Sequence, residues 1–192
     1  RKSRGAVAGT FHESTKVEIV WTLIPFLILI MMAIPATRVL TEAYDSSESD
    51  LDIMVVGYQW RWEYKYLRDD ESEEEVSFFS VMSTPREEIS NALPKGENYL
   101  LEVDNPLVIP INKKVRFLIT SNDVIHSWWV PAFAVKKDAI PGFINEIWTR
   151  VDEPGIYRGQ CTELCGLEHG FMPVVVHAVE QEEYDAWYAE KQ

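Results

Sequence analysis

Nineteen consecutive uncharged residues, Ile19 to Thr37 (IVWTLIPFLILIMMAIPAT), constrain this chain more than any other feature. At about 1.5 Å of rise per residue, a helix of that length spans roughly the 30 Å hydrocarbon core of a bilayer. Pro25 and Pro35 interrupt the run. Each is costly in a soluble helix, whereas neighbouring groups in a membrane bundle satisfy the freed carbonyls. The competing readings are a buried core helix and a secretory signal. A signal h-region is shorter and ends at a small-residue cleavage site, which is not evident here. The run is read as a transmembrane helix over residues 17–41.

Charge sets its direction. Arg1, Lys2, Arg4 and Lys16 precede the span, and Glu42, Asp45, Glu48 and Asp50 follow it. Basic flanks stay inside, so residues 1–16 form a cytoplasmic loop and everything beyond about residue 42 lies outside. The first residue is Arg rather than Met, as expected of a processed or truncated product. Residues 42–104 hold 17 acids against 5 bases and supply most of the net charge of −13. This excess argues against nucleic acid as a partner, because phosphate binding needs a basic face. A hydrophobic share of 46% excludes a disordered chain, and two cysteines cannot build a disulfide scaffold.

After a linker at 42–51, residues 52–180 read as all-β. Trp60, Trp62, Tyr64 and Tyr66 alternate with Arg61, Glu63 and Lys65, the period-two pattern of a half-buried strand. Further runs at 98–103, 115–120, 146–151, 156–160 and 173–179 are punctuated by Pro and Gly, as in a sandwich or Greek-key barrel. Residues 69–75 (DDESEEE) read as a solvated loop. Residues 181–192 read as a terminal helix that docks Tyr184, Trp187 and Tyr188 on the barrel.

The chemistry is concentrated in residues 161–172, CTELCGLEHGFM. Cys, His and Met close together after a strand form the ligand set of a β-sandwich copper site. A mononuclear site uses one Cys, and here there are two. A second imidazole must come from elsewhere. His12 lies across the membrane and His177 falls in an alternating strand, which leaves His126 in NDVIHSWWVP. Two thiolates, two imidazoles, a thioether and a backbone carbonyl suffice for two copper ions bridged by both sulfurs. Three plainer readings use the same residues: a Cys161–Cys165 disulfide, a tetrahedral zinc site with both histidines, or a thiol nucleophile. The first two leave Met172 unused, and the third leaves the second Cys unused.

Together these residues closely resemble the cytochrome c oxidase subunit II family. The resemblance rests on VEIVWTLIP (17–25), GYQWRWEY (57–64), LLEVDNPLVIP (100–110), DVIHSWWVP (123–131), KKDAIPG (136–142) and GQCTELCGLEHGFMPVVV (159–176), in family order. It implies a mainly β, cupredoxin-like Greek-key domain after a transmembrane helix, with a binuclear copper A centre. Cys161 and Cys165 match the bridging thiolates, His126 and His169 the terminal imidazoles, and Met172 the axial thioether. Glu163 matches the backbone-carbonyl ligand, and its side chain matches a ligand of a magnesium ion shared with subunit I. Trp60 matches the residue that receives electrons from cytochrome c. Asp123 matches a docking acid, and Glu18 a carboxylate at the mouth of a proton pathway in subunit I. The implied setting is a bacterial plasma membrane, with the mitochondrial inner membrane as the alternative. The implied partners are subunit I, other oxidase subunits, cytochrome c and membrane lipid. Oxygen reduction and proton translocation would belong to the haem-bearing subunit I.

Several positions depart from the family pattern. The family pattern places a first transmembrane helix ahead of the basic loop, so residues 1–16 are expected to be the cytoplasmic loop between two spans. Tyr58 stands where His is common, and Phe143 where Arg is frequent. Lys65 and Arg68 fall where docking acids are expected. No CxxCH haem motif occurs. A quinol oxidase subunit II shares the plan but lacks the ligands, and a nitrous oxide reductase lacks the span. A membrane-tethered zinc or disulfide-stabilised domain is the rival from another class.

Overall fold

The computed structural model describes Gly5, Gly9, residues 12–67 and residues 76–192. Most of the basic loop at 1–16, the acidic segment 69–75 and Arg68 lie outside the described residues. The chain divides into two compact units, Arg1–Asp45 and Ser46–Gln192.

The first unit is dominated by α1 (Thr15–Tyr44), a 30-residue helix with no buried residue. It is long and apolar enough to cross a membrane. Both prolines lie inside it, and it continues past the uncharged run to Tyr44. The Thr22 and Thr37 hydroxyls donate to the carbonyls of Glu18 and Ala33, each at 2.8 Å. Those bonds satisfy polar groups within the helix, as a lipid environment requires.

The second unit is a β-sandwich. In chain order it comprises β1 (Leu51–Tyr58), β2 (Arg61–Leu67), β3 (Ser77–Ser80), a short helix α2 (Arg86–Ile89), β4 (Leu107–Pro110), β5 (Val115–Ser121), β6 (His126–Val130), β7 (Val135–Ala139), β8 (Asn145–Thr149), β9 (Gly155–Cys161), β10 (Pro173–Val179) and the terminal helix α3 (Gln181–Lys191). One five-stranded sheet runs β3-β2-β1-β5-β8 and the other β4-β10-β9-β6-β7. β1 pairs parallel with β5 and β4 parallel with β10; the remaining strand pairs are antiparallel. The expected mainly β domain after a long apolar helix is therefore present.

Of the four alternating aromatics, Trp62, Tyr64 and Tyr66 lie in β2, whereas Trp60 sits in the turn before it. Trp62, Tyr64 and Tyr66 are fully buried. Burying side chains of this size contributes about 1.5–3 kcal/mol each. Tyr66 also ties the core together: its hydroxyl donates to the Val108 carbonyl at 2.6 Å and accepts from the Val108 N–H at 3.0 Å. Trp187 of α3 packs its ring 5.2 Å from that of Tyr66, with Tyr188 at 5.9 Å, so α3 docks as its aromatic spacing predicts.

The strand expected at 98–103 is absent. Residues 97–100 form turns, and only Val103 makes an isolated bridge, to Met82. Leu100 has φ 63°, and its N–H donates to Thr84 Oγ1 at 3.0 Å. A left-handed residue cannot continue a ladder, so the apolar pattern there is overridden by a local turn. β1 (LDIMVVGY) carries no clean alternation, and Val55, Val56 and Gly57 are buried in succession, so both faces of the strand are covered at that end.

Candidate metal centre

The end of β9, the start of β6 and the β1–β2 turn converge. Cys161 closes β9 and opposes Trp128 across the β6–β9 ladder. His126 opens β6 and is fully buried. Cys161, Cys165 and Met172 are also buried. His169 is half-buried, in a short 3₁₀ turn (His169–Phe171) just before β10. The Cys161 N–H donates to the Met172 carbonyl at 3.0 Å, which sets residue 172 beside Cys161.

The donor atoms follow one another in a row. His126 Nδ1 is 3.9 Å from Cys161 Sγ. Cys161 Sγ is 3.8 Å from Cys165 Sγ. Cys165 Sγ is 3.6 Å from His169 Nδ1. The Cys161 thiol points at the Glu163 carbonyl, 3.4 Å away, while the Glu163 side chain is exposed. Both cysteines are free thiols; a disulfide would bring their sulfurs to about 2.05 Å. Donors about 2.0–2.3 Å from one ion at a tetrahedral angle lie roughly 3.3–3.8 Å apart. The three neighbouring separations are close to that range, so adjacent donors can share an ion. His126, Cys161 and Cys165 offer donor atoms all within 4.8 Å of one another, and His169 stands outside that group.

Burial pushes the Cys161 thiol up, but its hydrogen bond with His126 and contacts with the backbone at Ser127 and Glu163 outweigh it and hold the group at about 7. Burial and the neighbouring charge of Cys161 push Cys165 up to about 12. For His126, burial opposes the charged form, while the hydrogen bonds with Cys161 and Asp123 raise its pKa above the ordinary value.

The β1–β2 turn closes the site from the side. The Trp60 indole N–H donates to the Cys165 carbonyl at 3.2 Å, and Gln59 Nε2 donates to the same oxygen at 2.8 Å. Trp60 is half-buried. Gly166, with φ +119°, leaves room for this contact: a Cβ there would meet Gln59 Nε2 at 3.0 Å and Trp60 Cζ2 at 3.1 Å. Gly57 makes room from below, since a Cβ on it would lie 2.7 Å from His126 Cδ2.

The sequence-derived residues thus fall into two groups. His126, Cys161, Cys165, His169, Met172, the Glu163 backbone, Trp60 and Asp123 come together. Glu18 belongs to α1, where its Oε1 accepts from the Ser14 N–H at 3.4 Å. Nothing in the sequence marks Gln59 or Gly57 as a site residue beyond adjacency to Trp60 in the aromatic-rich motif, because their roles depend on partners more than 60 residues away in the chain. Phe143 is exposed, and Tyr58 donates to Glu63 at 3.0 Å.

Comparisons with known proteins bear on the family and the fold. A family profile described as the periplasmic domain of cytochrome c oxidase subunit II matches residues 51–179, and one for its transmembrane domain matches residues 1–39. A probable cytochrome c oxidase subunit 2 of Rickettsia felis is 48% identical over 185 residues, covering 96% of this chain and 56% of the relative. The chain therefore spans little more than half the length of that relative. Cytochrome c oxidase subunit 2 of Cyanidium caldarium is 42% identical, covering 96% of this chain and 71% of the relative. The crystal structure of the periplasmic domain of cytochrome oxidase subunit II from Bradyrhizobium japonicum superposes with a TM-score of 0.65 at 38% identity, covering 76% of this chain and 96% of that one.

Proposed function

The chain belongs to the cytochrome c oxidase subunit II family, and from that premise we propose that it is the electron-receiving subunit of a membrane-bound terminal oxidase. The observation that carries the reading is the row His126–Cys161–Cys165–His169, with Trp60 bonded to its middle through the Cys165 carbonyl.

The donor set fits a copper pair better than a single zinc. One tetrahedral ion needs every pair of donors within roughly 4 Å, and His169 falls outside the compact group of three. Soft thiolates with a buried thioether select copper. Cys161, Cys165, His126 and His169 would hold the pair, with the Met172 thioether and the Glu163 carbonyl as weaker donors. When bound, such a pair supplies a one-electron acceptor and donor whose charge is shared over two ions. The exposed Glu163 carboxylate would serve a magnesium ion shared with subunit I.

The chain's own residues contribute binding, orientation and exclusion of water. Burial of His126, Cys161, Cys165 and Met172 keeps solvent from the donors. Trp60 links the outer surface to the thiolate residue through one hydrogen bond. The acid excess outside the membrane attracts a cationic donor such as cytochrome c, and steering of this kind raises association rates about 10–10³-fold. A loaded domain would serve as the electron source for haem in subunit I, to which oxygen reduction and proton movement would belong, in a bacterial plasma membrane with this domain on the periplasmic side.

Substituting Trp60→Leu tests the route. Copper content and its spin-resonance spectrum should persist, while reduction by cytochrome c slows at least about tenfold, or ~1.4 kcal/mol in barrier. Unchanged reduction would remove Trp60 from the path. One zinc per purified chain, in place of two coppers, would refute the whole reading.

A further inference from the structure

The family resemblance casts Asp123 as a docking acid, a role that needs a carboxylate free to meet a cation across an interface. Its side chain is 29% exposed, and both oxygens are already engaged. Oδ1 accepts from His126 Nε2 at 2.9 Å and from the Val124 N–H at 2.6 Å. Oδ2 accepts from the Gln59 N–H at 2.7 Å. Ser121 Oγ is a further 3.4 Å contact of Oδ1.

Two of these bonds reach separate parts of the site. An ionised carboxylate only accepts hydrogen bonds, so it places the imidazole proton of His126 on Nε2. The Nδ1 lone pair is thereby turned toward Cys161 Sγ, 3.9 Å away. The other oxygen holds the Gln59–Trp60 turn, whose side chains both donate to the Cys165 carbonyl. A closed circuit results: His126, Asp123, Gln59 with Trp60, Cys165, Cys161 and back to His126.

We propose that Asp123 is a positioning residue whose single carboxylate sets the His126 tautomer and holds the Trp60 indole against the Cys165 loop, coupling the metal-facing nitrogen to the surface aromatic. Carboxylates behind metal-binding histidines fix ring orientation in this way, and their loss typically weakens metal binding 10–100-fold. The consequence for copper rests on the proposed function, whereas the tautomer and the turn are properties of the metal-free chain. Asp123→Asn isolates the role. An amide keeps the size but offers one accepting oxygen and one donating NH₂, so either His126 or Gln59 must face a donor.

The test is nitrogen and proton magnetic resonance on the metal-free full chain in detergent. The wild type should show His126 protonated at Nε2, with a slowly exchanging ring proton, and a hydrogen-bonded Trp60 indole. In Asp123→Asn the ring proton should move to Nδ1 or exchange freely, and the indole resonance should shift. Copper retention against a chelator should fall about 10–100-fold, and the copper hyperfine pattern should change. Asp123→Glu keeps the charge but adds a methylene, so it should disturb the same signals. If Asp123→Asn leaves ring, indole and copper signals as in the wild type and only slows salt-dependent association with cytochrome c, Asp123 is a docking acid and the proposal falls. A wild-type chain whose neutral His126 ring carries its proton on Nδ1 overturns it without any variant folding. Because the ring measurements need no metal, they decide the proposal even if the copper reading fails.

Discussion

Gly57→Ala tests how tightly the sandwich interior holds His126. Gly57 lies in β1 opposite Trp62, in backbone that any residue can adopt, so adding a methyl group acts through space rather than through φ. The new Cβ would lie 2.7 Å from His126 Cδ2, 3.0 Å from Cγ and 3.2 Å from Cβ. Comfortable carbon contacts are about 3.5–4.0 Å, so the ring must withdraw by roughly 1 Å. His126 is fully buried, with the Trp62 ring 5.9 Å away and the Asp123 bond on its far nitrogen. Overpacking a core in this way costs about 1–3 kcal/mol. For a domain of this size, each kcal/mol lowers Tm by about 2–4 °C, so a fall of roughly 2–12 °C is expected. The same displacement moves Nδ1 off the thiols and should weaken copper retention. Gly155→Ala is the matched control: the atoms nearest its Cβ would be those of the Tyr157 side chain, at 3.7–3.8 Å, an ordinary contact. Calorimetric melting and copper titration of both variants decide the matter. If Gly57→Ala melts and binds copper as Gly155→Ala does, the contact at residue 57 does not govern the imidazole.

Two further outcomes follow from the core and from the thiols. Tyr66→Phe removes a buried hydroxyl that both donates to and accepts from Val108; denaturant unfolding should show a loss of about 1–3 kcal/mol, and no loss would mean the Val108 groups find other partners. Copper loading should release protons, because ligands bind as thiolates. Cys165, pushed up to about 12 by burial and the Cys161 charge, holds its proton at neutral pH. Affinity should therefore rise with pH across the neutral range. Cys161, held at about 7, adds to the release only near and below that pH. Calorimetry in buffers of different ionisation enthalpy measures the protons released, and zero release at neutral pH would contradict the shift of Cys165.

Local pattern carried much of this protein. An unbroken apolar run is enough to make α1, because helix formation and bilayer thickness both depend on consecutive residues. Alternation is enough to bury Trp62, Tyr64 and Tyr66 of β2, because successive side chains point to opposite faces. The identities of the soft ligands are written into residues 161–172 and their upstream histidine. Tertiary structure decided the rest. It turned residues 97–100 away from a ladder, and buried Val55, Val56 and Gly57 of β1 in succession, so that both faces are covered there. It placed His169 outside the compact donor group. It also engaged Asp123 with Gln59 and His126, so that an acid that looks in sequence like a surface charge is occupied within the fold. The division has one physical cause: periodicity and composition act between neighbours along the chain, whereas a side chain's partners are chosen by strand pairings that join residues far apart in it.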